Sequence, residues 1–99
     1  METIDLDLEI LNRCLWRQPH GWEDFVDRFM GQVLQIIDYS VGIRELPLDP
    51  QRRTVLCEQV FEVLAADDFQ LLRQFRGDSR LSTYITVLVQ RLVPPLLIE

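Results

Sequence analysis

The sequence predicts an all-α fold, a single compact bundle of four to five helices. Three observations lead there. Apolar residues recur at three- and four-residue spacing, most clearly from Trp22 to Ile37. Turn formers cluster at Pro19-His20-Gly21, between Gly42 and Pro47, and at Gly77-Asp78-Ser79, cutting the chain into helix-length pieces. No stretch alternates apolar and polar residues for long enough to make a strand. With 99 residues, 47% of them apolar, the chain is long enough for one core and too apolar for extensive disorder. The expected organisation is one domain over residues 1–93 and an apolar tail over 94–99.

Each element has a local reason. Ile4, Leu8, Leu11 and Leu15 share a helical face, so the first helix is expected from about Thr3, its cap, to Trp16. Glu2, Asp5 and Asp7 suit the positive end of its dipole. The second helix has Trp22, Phe25, Val26, Phe29, Val33, Ile36 and Ile37 on one side and Glu23, Asp24, Asp27, Arg28, Gln32 and Gln35 on the other, and is expected to end near Tyr39 or Ser40. After a loop from Val41 to Leu48, Asp49-Pro50 reads as a cap followed by proline at the first helical position. The third helix should run to about Ala66 with Val55, Leu56, Val60, Phe61, Val63 and Leu64 as its apolar positions. Asp67-Asp68 should then open a short amphipathic piece carrying Phe69, Leu72 and Phe75. The last helix is expected from Leu81 or Ser82, with Tyr84, Ile85, Leu88 and Leu92 inward, and Pro94-Pro95 should stop it.

Charge and chemistry narrow the function. Residues 1–50 hold ten acids and four arginines, a net −6; residues 51–99 hold six of each, a net zero. So acidic a whole argues against non-specific nucleic-acid binding. Yet Gln70–Arg91 carries Arg73, Arg76, Arg80 and Arg91 against Asp78 alone, which leaves room for a small nucleic-acid surface. Salt bridges from these arginines to the acidic half are the simpler expectation. Trp16 and Tyr39, near helix ends, are open to stacking on bases, but packing in the core or at its rim is the plainer reading. Catalysis is not expected: His20 is the one histidine, set in a turn, and no His, Cys and carboxylate cluster has metal spacing. No glycine-rich phosphate loop is present and no cofactor is implied. Cys14 and Cys57, 43 positions apart, read better as reduced, buried thiols of a cytoplasmic protein than as a disulfide. The start lacks the pattern of a signal peptide, and the apolar stretch from Leu81 is broken by Gln90, Arg91 and two prolines, so neither export nor a membrane span is expected.

The segment Phe75-Arg76-Gly77-Asp78-Ser79-Arg80-Leu81-Ser82-Thr83-Tyr84 resembles the join between the second and third conserved helices of region 2 of bacterial RNA polymerase sigma factors. The shared pattern is an aromatic, a basic residue, glycine, a small or polar pair, then an apolar residue, Ser-Thr and an aromatic. Its physical logic is a tight turn at Gly77, a helix cap at Ser82 or Thr83, and an anchor at Tyr84. Upstream, Trp22 to Phe29 is similar to the opening helix of that region. Leu56-Cys57-Glu58-Gln59-Val60-Phe61 is similar to the helix that docks on the polymerase. The likeness covers about Asp5 to Val93 and is best to the extracytoplasmic-function type, in the form found in planctomycete-like bacteria.

The resemblance implies a sigma region 2-like bundle with two working surfaces. Glu58, Gln59 and Glu62 would bind the clamp coiled coil of RNA polymerase core. Arg76, Arg80, Ser82, Thr83, Tyr84 and Arg91 would meet the promoter −10 element and its melted strand, holding phosphates and reading a flipped base. The implied role is transcription initiation, with an anti-sigma factor as a further partner and no small-molecule substrate. Some positions depart from the family. Thr54-Val55 stand where an acidic pair is usual, Glu58-Gln59 reverses the usual Gln-Glu order, and Pro94-Pro95 replaces a basic run. They motivate an alternative: a sigma-like interaction module, without promoter activity, that binds an anti-sigma-like partner or itself.

Overall fold

A computed structural model describes residues 5–97. Asp5 caps the first helix, α1 (Leu6–Leu15), its carboxylate accepting from the N–H groups of Asp7 and Leu8. The expected cap Thr3, and Ile4 with it, lie outside the described residues. Helix α2 (Gly21–Ile43) follows a two-turn reversal and runs past the expected end at Ser40, because Ser40 and Val41 are themselves buried. The loop shrinks accordingly to residues 44–49. Helix α3 (Pro50–Arg73) begins as expected, with Asp49 accepting from the Arg52 N–H at 2.7 Å and Pro50 in the first turn. Helix α4 (Leu81–Leu97) completes an all-α bundle, and no strand occurs among the described residues.

α3 is not regular. Ala66 is extended and Asp67, Asp68 and Phe69 all take left-handed backbone angles, with φ of 55°, 56° and 60°. The break falls at the expected junction, so the bundle has four helices by continuity and five by conformation. Left-handed backbone costs a non-glycine residue about 1–2 kcal/mol, least for aspartate and most for a bulky side chain. Packing offsets that cost: the Phe69 ring lies 5.5 Å from Trp22, and Arg73 donates to the Asp68 carbonyl at 2.7 Å.

The core is built around α2, which packs on all three other helices. Phe25, Phe29, Val33, Ile36 and Ile37 are buried there, as their spacing predicts, and Trp22 extends the row with stacked and edge contacts to Phe25 and Phe61. From α3 come Leu56, Val60, Phe61 and Leu64; Val55, expected inside, is exposed. Cys14 and Cys57 are buried and unbonded to each other. On α4 the fully buried row is Leu81, Ile85, Val89 and Val93, every fourth residue, while the expected Tyr84, Leu88 and Leu92 are half-buried at its flank.

Two expectations about α4 give way. Pro94 and Pro95 do not stop it; the helix continues to Leu97. Each proline removes one helical donor, leaving the carbonyls of Gln90 and Arg91 to water. Both residues are exposed. In return Leu96 and Leu97 pack on the core and Arg52 donates to the Leu96 carbonyl at 3.1 Å. Residues 94–97 are thus the last turn of the bundle; Ile98 and Glu99, the rest of the expected tail, lie outside the described residues. At the other end Ser82 and Thr83 do not cap the helix. They sit inside its first turn, and the Arg80 carbonyl takes the N–H groups of Thr83 and Tyr84, each at 3.1 Å.

One contact explains a tight corner. A Cβ on Gly21 would lie 2.6 Å from the Arg13 carbonyl oxygen and 2.9 Å from the Cys14 nitrogen. Only glycine lets α2 start this close to the end of α1.

Candidate nucleic-acid interface

The turn between α3 and α4 is tight where expected: Gly77 has φ of +80°, and the rings of Phe75 and Tyr84 on either side of it meet at a 54° tilt with centroids 5.2 Å apart. The Tyr84 hydroxyl donates to the Leu71 carbonyl at 2.6 Å. Tyr84 is therefore an anchor, but it ties α4 to the last turn of α3 rather than to the deep core. Burial pushes its hydroxyl pKa above the ordinary 10.0.

A groove of about 760 Å³ opens beside this pair, between the end of α3 and the outer face of α4. Arg73, Arg76 and Arg91 border it, with Gln74 and the two rings. Three of the six residues assigned by resemblance to DNA contact thus meet here: Arg76, Tyr84 and Arg91. The others do not join them. Arg80 and Ser82 border a second groove with Asp7 and Arg28, and Ser82 and Thr83 a third with Gln32 and Gln35. Helical geometry requires this division, since Ser82 lies roughly 160° around α4 from Tyr84. Ser82 is further engaged through its carbonyl, which accepts from Gln32 at 2.8 Å and from the Thr86 hydroxyl at 2.9 Å.

Ion pairing sorts the arginines. Arg13 pairs with Asp24 at 2.7 Å, Arg28 with Asp7 at 2.7 Å, Arg53 with Asp38 at 2.8 Å, and Arg17 and Arg73 both with Asp68. Arg44 donates to the Ser40 carbonyl and Arg52 to that of Leu96. The side chains of Arg76, Arg80 and Arg91 make no hydrogen bond or ion pair among the described residues, and all three residues are exposed. The expected salt bridges to the acidic half therefore form for none of the four: Arg73 is ion-paired, but to Asp68 of the net-neutral half, and the other three have no ion pair among the described residues. Arg73 also donates to the Leu15 carbonyl at 2.9 Å, which makes it a strut between α1 and α3.

The assigned polymerase-binding residues lie on α3. Glu58 and Glu62, four apart, are both exposed on one face, which Val55 shares. Gln59 is half-buried, and its side-chain oxygen is enclosed with no hydrogen-bond partner among the described residues. Trp16 and Tyr39, expected to pack in the core or at its rim, do not: Trp16, which caps the end of α1, is 79% exposed, and Tyr39, on α2, is 66% exposed.

Sequence reasoning missed Phe75 as a partner of Tyr84, although two aromatics bracketing a glycine turn are a signal for such a pair. It also missed Gln32, whose mid-helix place on a polar face gives no hint of its link to α4. Compared with known proteins, the chain matches no family model, no curated protein and no solved structure. What fold and site define is a small all-α bundle with a cationic, aromatic-edged groove, and no helix long and apolar enough to cross a membrane among the described residues.

Proposed function

We propose that this chain is a sigma region 2-like domain that binds RNA polymerase core and holds the melted strand of a promoter −10 element in transcription initiation. One observation carries the reading. Of ten arginines, the three without a partner among the described residues are Arg76, Arg80 and Arg91, the same three that the resemblance assigns to DNA. An arginine already paired to a carboxylate must give up that bond to take a phosphate; these three need not. Phe75 and Tyr84 add an aromatic edge on which a base can stack. The exposed Glu58–Glu62 face of α3 supplies the polar surface for the polymerase clamp.

The test is fluorescence anisotropy with labelled single-stranded −10 DNA, repeated over a salt series. Three phosphate contacts give a log–log salt slope of roughly −2. Arg76→Gln and Arg91→Gln should each weaken binding about five- to tenfold and each flatten the slope by about 0.7. A flat anisotropy trace for the parent chain sinks the DNA half of the proposal. For the polymerase half, loss of core capture on changing Glu58 and Glu62 to alanine is expected, and no capture by the parent sinks it.

The alternative, a sigma-like interaction module, draws on a different observation. Tyr39 and Ile43, four apart on α2, are 66% and 62% exposed, and Leu46 follows them in the loop at 43%. Apolar side chains grouped on one end suit a protein partner or a second copy. Flat anisotropy together with a mass that rises with concentration in light scattering favours this reading.

A further inference from the structure

We propose that the junction of the α1–α2 reversal with the α3 kink is a binding site for a small, uncharged, planar aromatic molecule. A pocket of about 330 Å³ lies there, walled by Cys14, Gly21, Trp22, Ala65 and Phe69. That is the size of a small-ligand site and too small for a peptide or a helix. On one side stand two half-buried rings and short groups; Arg17, Gln18, His20 and Glu23 line the rest. The rings of Trp22 and Phe69 stand 5.5 Å apart and tilted by 44°, so they converge on the space without filling it by stacking on each other.

The rim decides the charge of the occupant. Arg17 pairs with Asp68 and lies 5.9 Å from the centre of the Phe69 ring. His20 lies 3.1 Å from Glu23. Arg17 and Asp68 answer each other's charge, and the Glu23 carboxylate is in hydrogen-bond contact with His20, so a charged ligand would have to displace one of these partners. A neutral ring system meets no such cost.

A second observation is independent of the cavity. Six non-glycine residues among those described have positive φ: Arg17, His20, Glu45, Asp67, Asp68 and Phe69. Three of the six, Arg17, His20 and Phe69, line this pocket, Asp67 and Asp68 lie between its wall residues Ala65 and Phe69, and Glu45 alone lies elsewhere. Backbone held in sparsely populated regions gathers where surroundings enforce a shape, and binding sites are the commonest such place. Two separate segments, 17–20 and 67–69, carry this strain toward one cavity.

The site is distinct from the arginine groove, and its test does not depend on nucleic-acid or polymerase binding. Indole serves as the probe, titrated into the ¹⁵N-labelled full chain. Saturable amide shifts confined to residues 14–23 and 65–69 are expected, with a Kd on the order of 1 mM for so small a ligand. Ala65→Leu, which puts a larger side chain into the pocket, should weaken binding at least tenfold. Intermolecular NOEs from indole to the Trp22 and Phe69 rings in the parent chain decide the matter even where Ala65→Leu does not fold. Absent NOEs, shifts that never saturate, shifts spread to exposed Tyr39, Ile43 and Val87, or a folded Ala65→Leu that binds as well as the parent would each overturn the proposal.

Discussion

The kink inside α3 and the turn that follows its last residue treat charge and backbone in opposite ways. At the kink, Arg17 and Arg73 converge on Asp68, Arg73 also braces α1 through Leu15, and three consecutive residues are held in left-handed geometry under the Trp22 ring. A few residues on, Arg76 and Arg80 sit in a relaxed turn whose one positive φ belongs to glycine, and Arg91 stands further along α4. None of them has a partner among the described residues. In the first region polar groups hold the chain in a costly shape. In the second the shape costs little and the polar groups are left over. Stability and binding should therefore respond to substitutions in different places.

The largest effect is expected at Gly21, in the braced region. An added methyl meets the α1 backbone at 2.6 Å, and backbone does not give way as a flexible side chain does. Gly21→Ala should destabilise by about 3 kcal/mol. Gly31 supplies the control, because a Cβ there has nothing within 4 Å and the residue is exposed inside α2. Gly31→Ala should stabilise by about 0.5–1 kcal/mol, the ordinary helix-propensity gain. Urea midpoints read both; equal shifts would show that the corner between α1 and α2 is not tightly packed.

An alkaline titration of stability probes the same region. Burial pushes the Cys14 thiol from its ordinary 9.0 up to about 11, with Arg73 drawing it slightly back. The folded chain thus holds this proton more tightly than the unfolded chain. The contribution is complete below pH 9 and is lost as pH rises to about 11, amounting to about 2–3 kcal/mol. Cys57, also raised by burial, adds to the same window. Cys14→Ala should flatten most of the decline; an unchanged profile would place the thiol in contact with water.

Relief of strain comes next. Asp67 has φ of 55° and its side chain makes no hydrogen bond or ion pair among the described residues, so glycine there removes the backbone penalty and no polar contact. Asp67→Gly should stabilise by about 0.5–1 kcal/mol after the entropy cost of glycine is subtracted. Thermal unfolding measures it. A lower melting temperature would mean that the kink is not held in a left-handed conformation.

How much of this was legible follows from what each feature depends on. Periodicity found the buried row of α2 and Asp49-Pro50 found the start of α3, because both are local. The break after Ala66 was also legible, since Asp-Asp tolerates left-handed backbone and interrupts the apolar pattern. Pro94-Pro95 misled: the rule about helix interiors is local, and the burial of Leu96 and Leu97 that overrides it is not. The arginines were visible as a cluster, but not which of them would be tied down: Arg73 is held by Asp68 nearby and by the Leu15 carbonyl across 58 positions, and the second bond depends on where the fold sets α1. The aromatic pocket gave no sequence signal, because Trp22 and Phe69 each look like ordinary core at helical spacing and only the fold aims them at one space.

The smallest expected effect divides the two regions most sharply. Arg76→Gln and Arg91→Gln remove charges that touch nothing in the described residues, so the urea midpoint should not move for either, singly or together. Arg73→Gln, one turn of helix earlier, breaks bonds to Asp68 and Leu15 and should lower the midpoint measurably. Asp68 sharpens the contrast. Arg17 chiefly, and Arg73 with it, hold its carboxyl below the ordinary 3.8, so its contribution is present above that value and lost as pH falls through the depressed one. Arg73→Gln should lessen this acid-induced loss, and the Arg76 and Arg91 variants should leave the acid profile superimposable on the parent. Should the double variant lose stability, or shift the acid limb, those arginines would be structural like their neighbours. The groove would then have no cations to spare for a phosphate.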